Sequence, residues 1–249
     1  MSVVALGDDF GPFFATPAMQ KPATRIYIPH MVSGTGYVTK LTLVNPSASA
    51  SDVTLSEYGQ TGQVLKQTQF TLAAHGAKRM ATPEEDRFRS TPTTTWAIVD
   101  ATQPIAANLF FEVIFDPASR AVVNTVGFND APLMAEFSFP AEFEPAQPGA
   151  SVGRTVGLAV ANPWASSTSV TIHLINPEGI VVATEARSLP AFGQFTLDLS
   201  SDPVFTAVLP AGSFVGTVTV VASNPVAAIA LEDDRGPFSA LPMMSGRTF

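Results

Sequence analysis

The chain repeats itself and has one piece left over. Ala5-Leu6-Gly7-Asp8-Asp9-Phe10-Gly11-Pro12-Phe13, continuing through Ala15-Thr16-Pro17-Ala18-Met19, is matched in register by Ala230-Leu231-Glu232-Asp233-Asp234-Arg235-Gly236-Pro237-Phe238, continuing through Ala240-Leu241-Pro242-Met243-Met244. Between these ends a longer unit occurs twice. Leu43-Val44-Asn45-Pro46 answers to Val160-Ala161-Asn162-Pro163, Val53 and Leu55 to Val170 and Ile172, and Gly62 to Gly179. Leu72, Ala74 and Gly76 answer to Leu189, Ala191 and Gly193. Gln103-Pro104-Ile105 answers to Asn224-Pro225-Val226, and Ile26-Tyr27-Ile28-Pro29 to Phe137-Ser138-Phe139-Pro140. The repeats fall at 20–134 and 135–249, and residues 1–19 copy the end of a repeat. A repeat of roughly 110 residues can bury its own core without disulfides or metal.

Within a repeat, helical periodicity is nearly absent. Short runs rich in Val, Ile, Thr and Phe alternate and stop at turn residues. Val53–Tyr58, a turn at Gln60-Thr61-Gly62-Gln63, and a returning Val64–Leu72 read as a hairpin. Val170–Ile175, Asn176-Pro177-Glu178-Gly179 and Ile180–Ala186 read the same way. Glycine supplies the positive φ that such turns need. A bend is expected near Thr39, where Val38 leaves the alternating face of Leu41 and Leu43. Asn45-Pro46, Asn162-Pro163, Asn176-Pro177 and Asn224-Pro225 should end strands, because proline lacks a ladder donor and restricts its predecessor. The stretch from Pro140 to Pro148 reads as a semi-rigid connection near the junction of the modules. About seven short strands per repeat, in tandem, predict an all-β chain of two immunoglobulin-like β-sandwich domains plus an N-terminal surplus strand.

Charge and composition narrow the partners. The net charge is −8, and the 13 Lys and Arg residues do not cluster. A nucleic-acid groove needs a basic stripe, and so does an anionic membrane surface, so neither partner is expected. No apolar run reaches the ~18 residues of a membrane-spanning helix. The N-terminus, with Asp8 and Asp9, does not read as a signal peptide. There are no cysteines, which excludes disulfides and Cys-ligated metal.

The strand Leu41–Pro46, the hairpin glycine at Gly62 and Leu72-Ala73-Ala74-His75-Gly76 resemble a module found in tandem in large bacterial secreted or cell-surface proteins. The second copy shows Leu158–Pro163, Gly179 and Leu189–Gly193. The resemblance implies export and a scaffold or adhesive role, and it supplies no catalytic residues.

No set of residues selects a chemistry. His30, His75 and His173 lie on different elements with no metal-ligand spacing, so neither a His-based site nor bound zinc is expected. Asp8-Asp9 and Asp233-Asp234 could hold calcium, but no full D-x-D-x-D-G loop follows, and an Asp-rich turn is the better reading. There is no G-x-S-x-G elbow. Gly34-Thr35-Gly36 sits among strands without a lysine or a following helix, so it is no phosphate loop. Trp96 and Trp164 with Tyr27, Tyr37 and Tyr58 could stack sugars, although core packing or a contact between modules fits them better.

The resulting expectation is a non-catalytic extracellular structural protein without a cofactor. Its partners are copies of itself, joined into a filament or surface array by β-strand pairing. The assembly residues would be Val4, Leu6, Phe10, Phe13 and Phe14 in the surplus strand, with Ile229, Leu231 and Phe238 as their counterparts. Val4, Leu6, Ile229 and Leu231 should point inward, with Ala5 and Ala230 on the other face. The receiving edge lies in the first repeat or, preferentially, in a neighbouring subunit. The alternative is an adhesin or carbohydrate-binding β-sandwich that uses its end loops; a glycan partner has no support from the residues themselves.

Overall fold

The computed structural model describes residues 4–8, 13–17, 21–113, 124–145, 153–208, 213–234 and 238–245, the first two segments by their backbone alone. The chain is all-β and divides into two units, Met1–Ala131 and Pro132–Phe249. Each unit holds one β-sandwich.

The first unit opens with a hairpin, β1 (Val4–Asp8) and β2 (Phe13–Pro17). Its sandwich comprises β3 (Ala23–Gly34), β4 (Tyr37–Val44), β5 (Ser51–Tyr58), β6 (Val64–Leu72), β7 (Ala77–Ala81), β8 (Thr93–Val113) and β9 (Asn124–Asn129). One layer runs β6-β5-β8-β3 and the other β7-β4-β8-β9, all antiparallel. The second unit comprises β10 (Leu133–Phe143), β11 (Arg154–Ala161), β12 (Thr168–Ile175), β13 (Val181–Leu189), β14 (Gln194–Asp198), β15 (Phe214–Asp234), β16 (Phe238–Ala240) and β17 (Met244–Ser245). Its layers run β13-β12-β15-β10 and β14-β11-β15-β16, strand for strand the same. β17 adds to the other edge of β10.

In each unit a single strand of 21 residues serves both layers. β15 pairs with β12 up to Ala222, with β10 up to Val221 and again at Val226 and Ala227, with β11 from Ala227 and with β16 from Leu231. Contrary to the expectation that it ends a strand, Asn224-Pro225 lies inside β15. It marks the point where the strand passes from one layer to the other, because proline interrupts the ladder there without stopping the extended backbone. The same hydrogen bond is made at both crossing points. The Asp52 amide donates to Thr102 Oγ1 (2.9 Å), as the Ser169 amide does to Ser223 Oγ (3.1 Å). The other three Asn-Pro pairs follow the last residues of β4, β11 and β12.

Pro140 also differs from expectation. It lies inside β10, opposite Thr217, and the strand runs on to the buried Phe143. Beyond β10, Glu144 bridges to Arg154 at the start of β11, so Pro140 to Glu144 lie within the second unit and not at its junction with the first; Pro148 lies outside the described residues. Proline is tolerated because β17 pairs with β10 at Phe137 and Ser138 and its described ladder does not reach Pro140.

The core follows the alternation of the sequence. Val53, Leu55, Leu72, Val170, Ile172 and Leu189 are all buried. In the second unit they join Phe137, Phe139, Leu158, Val160, Val218 and Val220 in one cluster between the layers. The hairpin turns carry positive φ at Gly62 (88°) and Gly179 (79°).

The expected inward face of the repeat's last strand is reversed. Ala228 and Ala230 belong to the core cluster, whereas Ile229 and Leu231 have the opposite parity. The cause is the strand alongside. Leu158 stands opposite Ala230 and Val160 opposite Ala228, so the larger side chains of β11 already fill the space.

Candidate functional site

The surplus segment forms a hairpin whose register copies the end of the second unit. Leu6 pairs with Ala15, Gly7 with Phe14 and Asp8 with Phe13. In β15 and β16, Leu231 pairs with Ala240, Glu232 with Ser239 and Asp233 with Phe238. Phe13 and Phe238 thus hold matching backbone positions. The side chains of Val4, Leu6, Phe13 and Phe14 lie outside the described residues, as does Phe10 altogether. Ile229 is buried, and Leu231 and Phe238 are half-buried in their own module.

β2 lies beside β9 of its own unit, with Cα atoms approaching within 8 Å. β2 and β9 share no hydrogen-bond ladder among the described residues. All six residues of β9 are nevertheless buried. The matching edge strand β16 is more open: Ser239 is exposed, and Phe238 and Ala240 are half-buried.

On the opposite side of β8 from the core residues Leu109 and Phe111 lies a charged cluster that sequence reading missed. Glu112 is buried and meets Lys40 Nζ through Oε1. Arg87 Nη2 stands 3.5 Å from Oε2, and Arg79 Nη2 3.8 Å from Oε1. Arg87 is itself buried. Its carbonyl accepts from the Gly36 amide, and the Arg89 carbonyl accepts from the Thr35 amide, both at 2.7 Å. Those amides lie in the Gly34-Thr35-Gly36 turn, where all three residues have positive φ (106°, 50° and 95°). The turn joins β3 to β4 and spends its Thr35 and Gly36 amides on the loop.

The remaining candidates resolve separately. Asp234 takes a bidentate hold on Arg154, 3.1 Å from Nε and 3.1 Å from Nη2, and Arg154 Nη1 reaches Glu142 at 2.5 Å. Asp234, with Glu232 3.8 Å from Arg154 Nε, thus anchors an ion network at the end of β15. Trp96 is fully buried and stacks on Tyr58 with centroids 4.9 Å apart. Trp164 is 38% exposed, and its indole Nε1 donates to Pro225 O at 2.7 Å. Among the described residues no three His, Asp or Glu side chains come together as a metal-ligand set.

His30 sits in the bulge where β3 slips against β8. Its ring meets Phe111 edge-on at 5.3 Å, and Phe111 in turn meets Phe128 of β9 at 4.6 Å. Nδ1 is buried with no hydrogen-bond partner among the described residues. Burial pushes the imidazole pKa down to about 4, because the charged form is poorly solvated there. The unfolded chain then binds more protons than the folded one between about pH 6.5 and pH 4. The first unit should lose on the order of 3 kcal/mol as the pH falls through that window. Urea midpoints at pH 7 and pH 4 for the parent and His30→Phe check this. The variant should lose less stability, and an equal loss would remove His30 as a cause.

No protein-family model matches the chain, and no curated protein matches it. Among solved structures it is similar to Thermotoga maritima 1070, at 6% identity and a TM-score of 0.36, over 44% of this chain and 93% of that one. It is similar to the major pilin from Streptococcus pyogenes at 10% identity and a TM-score of 0.19, over 84% of this chain and 82% of that one. A glycosyl hydrolase family 2 member from Bacteroides cellulosilyticus shows 9% identity and a TM-score of 0.18, over 87% of this chain and 27% of that one. None of these likenesses carries an argument about activity. The fold defines the chain as a tandem two-module β-sandwich protein.

Proposed function

We propose that the chain is a non-catalytic structural subunit, secreted or displayed on a bacterial surface, which assembles with its own copies through strand edges of its modules. One observation carries this reading. The chain has one more terminal hairpin than its two sandwiches need, with the same register as the hairpin that completes the second sandwich. A hairpin alone is marginal in water, so an extra one is maintained by docking. The edge strands of the two modules are the surfaces on which such a hairpin fits.

The test is sedimentation velocity of the full chain over a concentration series, with electron microscopy of the largest species. Oligomers that lengthen with concentration are expected. A chain that stays monomeric to millimolar concentration and binds glycans would instead support an adhesin.

A further inference from the structure

The hairpin's place on β9 identifies the surfaces that meet in such an assembly, given the assembly reading above. β1–β2 and the end of β15 with β16 share Ala5/Ala230, Leu6/Leu231, Asp8/Asp233, Phe13/Phe238 and Ala15/Ala240 in one register. The first of these hairpins lies along β9, which is buried throughout. The second ends in β16, whose one strand neighbour among the described residues is β15 and whose central Ser239 is exposed. A surface that accepts one hairpin is suited to another of similar sequence and the same register, the two differing in their paired strands at Gly7/Glu232 and Phe14/Ser239. We infer that the β16 edge of one copy docks along β9 of a second copy, in the place β1–β2 occupies in its own chain. β1–β2 is then an internal competitor that caps β9 in the free subunit.

Two physical consequences follow. First, the contact joins different surfaces, β9 on one copy and β16 on the next. It is heterologous and does not close on itself by two-fold symmetry, so it propagates head to tail. Second, the competitor is tethered. A short tether holds its local concentration in the millimolar range, so the free subunit is mostly capped. Its apparent affinity for a second copy is lowered by the fraction of time β9 is uncovered.

The experiment compares four purified proteins by sedimentation velocity: the full chain, the chain lacking residues 1–19, and each of these with Ser239→Lys. A lysine on an exposed edge blocks strand apposition while leaving the module intact. The truncated chain should associate at a concentration at least about tenfold lower than the full chain, as removal of a tethered competitor requires. Ser239→Lys should return it to monomer, and so should an excess of synthetic peptide 1–19. Circular dichroism and thermal melting check that the modules stay folded. If the truncated chain does not fold, Thr16→Pro in the full chain breaks β2 without removing it and should produce the same gain. Association no stronger without the hairpin overturns the inference. If the full chain assembles and the truncated one does not, the hairpin is itself the exchanged element; the assembly reading then stands and this inference fails. If no form associates, both fail.

Discussion

Replacing Glu112 by alanine should cost the first unit about 3–5 kcal/mol, the range for removing one partner of a buried ion pair. Three cations face this carboxylate, but they do not suffer equally. The Arg79 side chain is 62% exposed and that of Lys40 23%, so both can turn to water. The Arg87 side chain is 2% exposed and is held by the loop whose backbone covers the β3–β4 turn. It must stay buried without its counter-charge or carry the loop away with it. The attraction within the intact cluster is largely offset by the cost of desolvating the charges. Glu112→Met combined with Arg87→Met should therefore recover most of the loss. Urea denaturation of the first unit measures both. A double variant as unstable as Glu112→Ala would show that packing, and not the unpaired charge, sets the cost.

Asn162→Ala should destabilise the second unit by about 3–4 kcal/mol, and Asn45→Ala the first by a similar amount, since each orphaned buried polar group costs about 1–3 kcal/mol. Both asparagines are fully buried. Asn162 Nδ2 donates to Ser166 O and Pro190 O, both at 2.8 Å, while its Oδ1 accepts from the Trp164 amide and Thr168 Oγ1, both at 3.1 Å. Asn45 Nδ2 donates to Ser49 O (2.8 Å) and Ala73 O (3.0 Å), and its Oδ1 accepts from the Ser47 amide at 3.0 Å. One side chain thus ties the turn after β4 or β11 to the end of β6 or β13. Aspartate should be at least as damaging as alanine, because it sets a charge against two carbonyl oxygens in a fully buried site. Melting temperatures of the Ala and Asp variants decide this; an aspartate variant as stable as the parent would mean that the donor half of the amide carries little weight.

The Asn45/Asn162 equivalence was legible in the sequence, and the structure explains why. The turn geometry is local. The Asn side chain caps its own turn within six residues. The following β-bend repeats too: His75 and Phe192 adopt positive φ, 55° and 54°, and their amides bond to Ser47 O and Trp164 O. The hairpin glycines and the alternating Val53, Leu55, Val170 and Ile172 were legible for the same reason, since turns and strand faces depend on neighbours close in sequence.

What the sequence determined by itself was therefore the repeat, its strands and its turns. The tertiary structure decided the faces and the pairings. Alternation shows that Ile229 and Ala230 lie on opposite faces, but not which face is inside. That depends on Leu158, about seventy residues earlier in the chain, filling the space opposite Ala230. Asn224-Pro225 is a turn signal in isolation, yet the pairings on both sides keep the strand extended through it. Glu112, Lys40 and Arg87 carry no common spacing, and only the ladder that sets β4 against β8 brings the first two together. The surplus hairpin was visible as a copied segment, whereas its seat on β9 was not. Local rules read a chain two to six residues at a time, while packing joins surfaces that the sequence separates by the length of a domain.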